Sequence, residues 1–261
     1  MKILVCVKQV PESETPIFID DTRGWIDREA ITEFKMNRLD EYAVEEALLI
    51  KKAFTDTRID IISVGPDRCD EVVRRAIGMG ADCGVHIQSA SDGYQSPGEI
   101  AAAIANFAPD KDYNLILTGA MSEDSMQAQV GPMLAAHLDW PWATCVIFEK
   151  IASDRKFIYV EREIEGGHRD ALELNLPAVV TIQSGINTPR WPSLSNLLRA
   201  NSQEMETISM DDPAKGQPKE YLAQVTYPKK SRVGVVLDGS PGDKAMRLLK
   251  ILGEKSLLHP K

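Results

Sequence analysis

Short apolar runs alternate with longer amphipathic segments through the first half of this sequence, and this alternation constrains the fold more than any other feature. The runs are rich in Val, Ile and Leu, whereas the longer segments repeat their apolar residues at helical spacing. Strands are predicted at residues 2–8, 58–65, 84–88 and 113–120. Helices are predicted within residues 36–54, 67–81, 97–108 and 126–138. Such alternation forms right-handed βαβ units, so we expect a doubly wound α/β fold with a mainly parallel sheet.

The pattern changes after residue 140, where apolar segments follow one another closely. We expect extra, partly antiparallel strands within residues 143–151, 156–167, 170–176 and 178–185. Residues 203–232 are polar, Pro- and Lys-rich and without periodicity, which predicts an extended C-terminal arm. The stretch Ser240–Asp243 precedes apolar residues at helical spacing and predicts a last helix. The predicted division is an α/β domain at residues 1–200 and an arm with a helix at residues 201–261.

Two smaller features complete the local prediction. Residues 17–27 are expected to form a hairpin around Arg23 and Gly24. Cys6 and Cys145 lie in predicted strands, so we interpret them as small buried side chains.

Composition excludes several classes of protein. The formal net charge of −9 argues against nucleic-acid binding, because a phosphate backbone repels such a chain. No uncharged apolar run approaches the ~18 residues of a membrane span, and the opening apolar run, too short for a signal peptide, stops at Lys8. The four histidines are scattered and no CxxC pair occurs, so no metal site is predicted. We expect a soluble chain in a reducing compartment, the cytoplasm or an equivalent organelle matrix.

The ends of three predicted strands, at Lys8, Val64 and Gly119, should meet at one edge of the sheet, where α/β proteins bind ligands. Pro132 fits only the first turn of a helix, so the helix after the fourth strand should begin no earlier than about Gln127 or Ala128. The loop before it then brings unpaired backbone N–H groups to this edge, a favourable site for phosphate. Alternatively, its polar residues only cap the helix.

The sequence contains no nucleophile–base arrangement, and we predict no catalytic residue. Glu161, Glu163 and Glu165 share one face of a predicted strand. They form either a solvated face or a docking surface for a cationic group. The stretch RWPSLSNLL at residues 190–198 poses a similar choice, since its Trp and Leu side chains either complete the core or are presented to another protein.

The sequence resembles the β subunit of electron transfer flavoproteins. The resemblance extends from residue 2 to about 200 and continues more weakly through the tail. The motifs that carry it, in order, are KILVCVKQVP, MNRLDEYAVEEAL, ISVGP, AIGMGAD, QVGPMLAAHLDWP, VEREIEGG, LPAVVTI and NTPRWPSLSNLLRA.

The resemblance implies a heterodimer with an adenine nucleotide α-hydrolase-like fold in this subunit. The α subunit of the family carries most contacts to a redox-active FAD, and the C-terminal arm and helix of this chain would pack on that subunit. The β subunit binds a second adenine nucleotide, usually AMP but FAD in electron-bifurcating members. The implied function is electron transport between acyl-CoA dehydrogenase-type flavoproteins and a further redox partner, as in fatty acid β-oxidation. The chain would thus be an electron carrier and not an enzyme.

Family positions carry over to a nucleotide site and a partner surface. The implied nucleotide-binding residues are Cys6, Lys8, Asn37, Arg38, Leu39, Asp40, Val64, Gly119, Ala120, Met121, Ser122, Asp124, Ser125, Met126, Gln127, Ala128, Gln129 and Val130. The implied partner-binding residues are Glu163, Arg190, Trp191, Leu194 and Leu197, with Trp191 in place of the usual Tyr. Glu163 would contact the flavin domain of the α subunit, and Leu194 would enter a pocket of the dehydrogenase.

One segment departs from the family. Most members carry a GKQAxDxD or GxQAxDGD-type loop where this chain reads GAMSEDSMQAQ, so a Lys that would balance a phosphate charge is missing. We rank AMP over FAD for this site. The alternative function is a stand-alone adenine-nucleotide enzyme or sensor of the same fold. Its ligase form needs an SGGxDS loop after the first strand, where this chain reads KQVPES.

Overall fold

The computed structural model describes residues 1–20, 22, 24–27, 30–31, 33–89, 93–210, 220–228, 234–255 and 257. In chain order the strands are β1 (Lys2–Cys6), β2 (Gln9–Pro11), β3 (Ile19–Asp20), β4 (Trp25–Ile26), β5 (Phe34–Met36), β6 (Arg58–Gly65), β7 (Cys83–Gln88), β8 (Leu115–Gly119), β9 (Trp142–Ile151), β10 (Phe157–Glu163), β11 (Arg169–Asn175), β12 (Ala178–Ile182) and β13 (Glu206–Ser209). The α-helices are α1 (Arg38–Ala53), α2 (Asp70–Met79), α3 (Pro97–Phe107), α4 (Val130–Leu138), α5 (Leu194–Ser202) and α6 (Pro241–Glu254).

A nine-stranded sheet forms the centre of the first compact unit, residues 1–225, with the strand order β11-β10-β9-β12-β8-β1-β6-β7-β13. The strands from β9 through β12, β8, β1, β6 and β7 to β13 pair in parallel. Strand β10 pairs antiparallel with both β9 and the edge strand β11. The predicted doubly wound, mainly parallel sheet with an antiparallel extension is therefore confirmed.

Helices cover both faces of this sheet. On β1, Ile3 and Val5 point into a cluster shared with α1, α2 and α5, whereas Leu4 and Cys6 point into a cluster shared with α3 and α4. This alternation follows from the period of two in a strand, and burial on both faces explains the continuous apolar run. Cys6 is buried as predicted, but Cys145 is partly exposed and has a φ of 55°.

Helix α5 packs closely on α2 through a glycine. A Cβ atom on Gly78 would lie 2.8 Å from Cδ2 of Leu197, so a larger residue at this position would displace the end of the Leu197 side chain. The guanidinium of Arg74 donates hydrogen bonds to the carbonyl oxygens of Ala200, Asn201 and Gln203 at the end of α5. These bonds pair carbonyl groups that a helix leaves unsatisfied, and they fix α5 to the domain.

Two local predictions have mixed outcomes. The hairpin forms, since Ile19 pairs with Ile26 and Asp20 with Trp25, while the predicted turn residue Arg23 lies outside the described residues. The segment predicted as an arm without regular structure contains β13, which pairs in parallel with β7. Four residues of mixed polarity are too short for a clear strand pattern, and this explains why β13 was missed.

The second compact unit spans residues 226–261. Its helix α6 begins as predicted, because the Ser240 hydroxyl accepts from the Asp243 amide while the Asp243 carboxylate accepts from the Ser240 amide. Met246, Leu248 and Leu249 on this helix are exposed. Within the described ranges, no helix is long and apolar enough to cross a membrane.

Candidate functional site

The carboxyl ends of β1, β6 and β8 surround a cavity of about 180 Å³. The loop between β8 and α4, residues 120–129, forms one wall, and the start of α1 contributes Asn37 and Asp40. This is the edge at which the three predicted strand ends were expected to meet. The order of the strands and helices thus predicts the position of this cavity.

Helix α4 begins at Val130, so Pro132 lies in its first turn as predicted. No side chain among the described residues caps the start of this helix. Two residues in the loop before it, Met126 and Ala128, adopt left-handed conformations with φ of 53° and 55°. The N-terminus of α4 therefore faces the cavity wall with backbone N–H groups available to a ligand.

Asp40 joins the elements that form the cavity. Its Oδ2 accepts a hydrogen bond from the Lys8 amide at 2.8 Å, and its Oδ1 accepts one from the Gly119 amide at 3.0 Å. Burial raises the pKa of Asp40 to about 7, while the hydrogen bonds from Asn37, Lys8 and Gly119 oppose that shift. One carboxylate therefore holds the ends of β1 and β8 against the first turn of α1.

Asn37 occupies the N-cap position of α1, but its side chain makes no capping hydrogen bond. Instead Nδ2 donates to the carbonyl oxygen of Met121 at 3.0 Å, and Oδ1 accepts from the amide of Glu123 at 2.9 Å. The side chain thus bonds a loop more than 80 residues away in the sequence and not its own helix. No local sequence pattern predicts these bonds. Asn37 thus fixes the middle of the loop to the start of α1.

Lys8 places a positive charge at the loop that lacks the family lysine. Its Nζ donates to Oδ1 of Asp124 at 2.7 Å and to Oγ of Ser122 at 3.3 Å. Burial alone would raise the pKa of Asp124, but the charge and hydrogen bond of Lys8 bring it below its ordinary value. A cation therefore reaches this wall from the segment that follows β1, where it is paired with Asp124.

Most of the predicted nucleotide-binding residues line the cavity. They are Cys6, Lys8, Asn37, Asp40, Val64, Gly119, Ala120, Met121, Ser122, Asp124, Ser125, Gln127, Ala128, Gln129 and Val130. Arg38, Leu39 and Met126 lie outside the lining. The amide of Arg38 donates to the Glu123 carboxylate at 3.4 Å, and the Met126 side chain is exposed.

An aromatic wall of the cavity was missed from the sequence. The rings of Trp25 and Tyr94 meet edge to face with centroids 5.3 Å apart, and Gln127 Nε2 donates to the Tyr94 hydroxyl at 3.3 Å. Tyr94 follows β7, whose carboxyl end lies at the same sheet edge, so the topology contained a signal that was not used. Trp25 belongs to the small hairpin and carries no comparable signal.

Two buried polar atoms at the cavity lack hydrogen-bond partners among the described residues. They are the indole Nε1 of Trp25, a donor, and Oε1 of Gln129, an acceptor. Buried polar atoms are nearly always paired in folded proteins, so a ligand with both an acceptor and a donor suits this cavity. A nitrogen heterocycle supplies such a pair.

The loop between β12 and α5, residues 183–193, presents apolar side chains to solvent. Trp191 is 83% exposed and Leu194 is 74% exposed, whereas Leu197 faces Gly78 of α2. Ser193 caps α5 by accepting a hydrogen bond from the Asn196 amide at 3.2 Å. Trp191 and Leu194 therefore do not complete the core, and of the two leucines predicted to bind a partner, Leu194 is exposed whereas Leu197 is half-buried against α2.

The acidic face of β10 is partly neutralised. Arg169 of β11 donates to Glu161 at 3.3 Å, and Glu163 is exposed. Elsewhere in the described part of the chain, no group of His, Cys, Asp and Glu side chains could hold a metal ion.

A mainly parallel sheet with a helix N-terminus and a polar loop at its carboxyl edge defines the class of α/β proteins that bind ligands at this edge. Residues 26–213 match the family model described as the electron transfer flavoprotein domain. The chain belongs to the electron transfer flavoprotein family, and its relatives identify it with the β subunit.

Three of these relatives illustrate the match. The β subunit from Methylophilus methylotrophus is 32% identical, covering 97% of this chain and 98% of that protein. The mitochondrial β subunit from Arabidopsis thaliana is 32% identical over 91% of this chain and 93% of its own length. The β subunit from Bos taurus is 34% identical over 81% of this chain and 82% of its own length.

Proposed function

We propose that this chain is the β subunit of a heterodimeric electron transfer flavoprotein. Paired with an α subunit, it passes electrons between acyl-CoA dehydrogenase-type flavoproteins and a further redox partner, as in fatty acid β-oxidation. The observation that carries this proposal is the family match over residues 26–213, joined to a cavity at the edge where the family site was expected. The chain is an electron carrier subunit with no catalytic residue of its own.

The proposed ligand of the cavity is an adenine nucleotide, AMP in preference to FAD. The amides at the start of α4 and the Lys8 ammonium are suited to a phosphate group. The unpaired donor of Trp25 and acceptor of Gln129 are suited to the edge of a purine. FAD, shared with the α subunit, would supply the one- and two-electron chemistry of the complex.

We further propose that the 183–193 loop and the start of α5 contact the dehydrogenase, and that Glu163 contacts the flavin domain of the α subunit. The exposed Trp191 and Leu194 support the first part, because a large apolar side chain in solvent gains free energy when a partner covers it. The exposed carboxylate of Glu163 supports the second. The α6 helix, with its exposed apolar residues, is proposed to pack on the α subunit. A cytoplasmic location is proposed for this chain; the Arabidopsis relative carries a mitochondrial name.

The decisive experiment is to count the nucleotides in the heterodimer. The complex is purified with its α subunit and denatured, and the released FAD and AMP are quantified by chromatography and absorbance. One FAD and one AMP per heterodimer is the expected result. Two FAD without AMP would replace AMP by a second flavin and make electron bifurcation the function to test, and the absence of any nucleotide would overturn the proposed site.

A pair of lysine variants tests whether the nucleotide occupies this cavity. Lys8→Gln removes the ammonium at the loop and is expected to lower the retained AMP about tenfold, the effect of losing one charge-assisted hydrogen bond. Lys51→Gln is the matched control, because Lys51 is paired with Asp82 at 2.5 Å near the C-terminal end of α1. Equal AMP content in the two variants would contradict the assignment.

A further inference from the structure

The 183–193 loop is held against α1 by an ion pair with fork geometry. Nε and Nη2 of Arg190 donate to the two carboxylate oxygens of Glu45, both at 2.8 Å. The backbone amide of Arg190 donates to the same carboxylate at 3.1 Å. Glu45 is only 5% exposed, whereas the Arg190 side chain is 45% exposed, so the fork is partly buried and charge-assisted on both sides.

A second connection reaches the same helix, at Tyr42 and Glu46. Nδ2 of Asn187 donates to the carbonyl oxygen of Tyr42 at 2.9 Å and to Oε2 of Glu46 at 2.7 Å. The Glu46 carboxylate is buried. The loop is therefore tied to α1 at two points before Trp191, by side chains that take no part in the cavity described above.

A third connection supports the exposed ring itself. The guanidinium carbon of Arg75 on α2 lies 5.3 Å from the centroid of the Trp191 ring. Arg75 is in turn held by Glu41, which accepts from its Nη2 at 2.8 Å and from its Nε at 3.1 Å. A cation placed over an indole face is attractive, so this pair favours one orientation of a ring that is otherwise free in solvent.

We propose that Glu45, Glu46 and the Glu41–Arg75 pair are positioning residues, which set the 183–193 loop in its docking geometry before any partner arrives. The physical reason is that a loop ordered in advance loses less entropy on binding. Successive turns of α1 and one arginine of α2 therefore determine how Trp191 and Leu194 are presented. This inference rests on the proposed role of the loop in contacting the dehydrogenase.

The test uses the heterodimer and the variant Glu45→Gln. Trypsin cleaves after arginine, and the fork with Glu45 sequesters Arg190, so the variant is expected to be cut at the Arg190–Trp191 bond about tenfold faster. Its affinity for a purified acyl-CoA dehydrogenase is expected to fall about three- to tenfold, in proportion to the lost fraction of ordered loop. The cleavage site is read by mass spectrometry and the affinity by surface plasmon resonance.

The matched control is Asp56→Asn, which breaks another fork, the one between Asp56 and Arg155, away from the loop. This control should leave the cleavage rate and the affinity unchanged. If Glu45 had only a structural role, Glu45→Gln would lower the melting temperature without faster cleavage at the Arg190–Trp191 bond. If Glu45→Gln fails to fold, Arg190→Lys keeps the charge and the trypsin site but loses the fork, and the same changes are expected.

The failure of this inference is distinguishable from the failure of the proposed function. Leu194→Ala should weaken dehydrogenase binding whether or not the loop is preordered. If it does so while Glu45→Gln behaves like Asp56→Asn in both readouts, the positioning role is overturned and the partner surface stands. If Leu194→Ala binds like the native heterodimer, the partner surface itself is wrong and the positioning role for docking falls with it.

Discussion

Two loops of this protein depend on an asparagine that contacts α1, and the two asparagines are satisfied differently. Asn37, 1% exposed, uses both its donor and its acceptor on the loop that lines the cavity. Asn187 uses only its donor, on Tyr42 and Glu46, and its Oδ1 is a buried atom without a partner in the described part of the chain. The asparagine that anchors the 120–129 loop (the cavity loop) is thus fully hydrogen-bonded, whereas the asparagine that anchors the 183–193 loop (the partner loop) is not.

This difference indicates how the two loops respond to change. A fully paired side chain is costly to remove, because its partners lose their bonds out of water. A side chain that already leaves one buried oxygen unpaired contributes less net free energy. We therefore expect substitution of Asn37 to cost more stability than substitution of Asn187, and we expect each substitution to affect mainly its own loop.

The largest effect should come from Gly119→Val, which breaks the cavity loop at its origin. A Cβ at this position would lie 2.8 Å from the carbonyl carbon of Leu39 and 2.9 Å from the amide nitrogen of Asp40, and backbone atoms cannot move aside. The expected loss of unfolding free energy exceeds ~3 kcal/mol, with loss of bound nucleotide. Urea denaturation measures it. Gly98→Ala, with its nearest atoms at 3.9 Å, should be close to neutral, and equal losses in both variants would refute this account.

Asn37→Ala should cost about 2 kcal/mol of unfolding free energy, since two hydrogen bonds to the cavity loop disappear together. The retained nucleotide should fall with it, while dehydrogenase affinity stays within about twofold because the partner loop keeps its own contacts. Denaturant titration and nucleotide quantification measure the two effects. A variant with reduced dehydrogenase affinity and full nucleotide content would reverse the assignment of the two loops.

The pH dependence of stability tests the carboxyl groups next to the partner loop. Glu149 interacts with Glu46, the carboxylate that accepts a hydrogen bond from Asn187. Burial raises the pKa of Glu149 to about 8, and the neighbouring charge of Glu46 adds to the shift. The folded state thus holds this proton more tightly than the unfolded chain, so stability is lost as pH rises from about 4.5 to about 8. Glu149→Gln should remove on the order of 2 kcal/mol of this loss.

The measurement is a series of denaturant titrations between pH 5 and pH 8.5. The control is Glu173→Gln, which removes an exposed carboxylate from β11. The control should leave the slope of stability against pH unchanged. If Glu149→Gln also keeps the native slope, the pair of Glu149 and Glu46 does not cause the pH dependence.

The smallest effect is expected from Asn187→Ala, about 1 kcal/mol or less, because loss of two donated bonds is offset by removal of an unpaired buried oxygen. Dehydrogenase affinity should fall about threefold and nucleotide content should not change. Surface plasmon resonance on the heterodimer measures the dehydrogenase affinity. If Asn187→Ala lowers the unfolding free energy as much as Asn37→Ala, the proposed difference between the two loops is wrong.

The parallel part of the fold and the location of the cavity could be predicted because local patterns determine them. The apolar runs that end at Lys8, Val64 and Gly119 identify strands buried on both faces, and topology then brings their ends together. The position of Pro132 also limited the start of α4 to within a few residues. These predictions required only periodicity and the stereochemistry of proline.

The contacts that give each loop its conformation could not be predicted in the same way. Arg190 and Glu45 are 145 positions apart, and no local pattern pairs them. The side chain of Asn37 has a helix start and a distant loop within reach, and only the assembled fold decides between them. Trp25 reaches the cavity from a two-strand hairpin whose packing the sequence does not encode in any repeat.

The close contact at Gly78 sets a limit on how this chain can vary during evolution. Glycine inside a helix costs about 1 kcal/mol relative to alanine, so helix propensity alone would favour its replacement. Here a methyl group would lie 2.8 Å from Cδ2 of Leu197, so the Leu197 side chain of α5 would have to move. A substitution of Gly78 in α2 would therefore disturb the packing of α5, which carries the exposed Leu194. The surface offered to a partner would change although no residue on that surface is substituted.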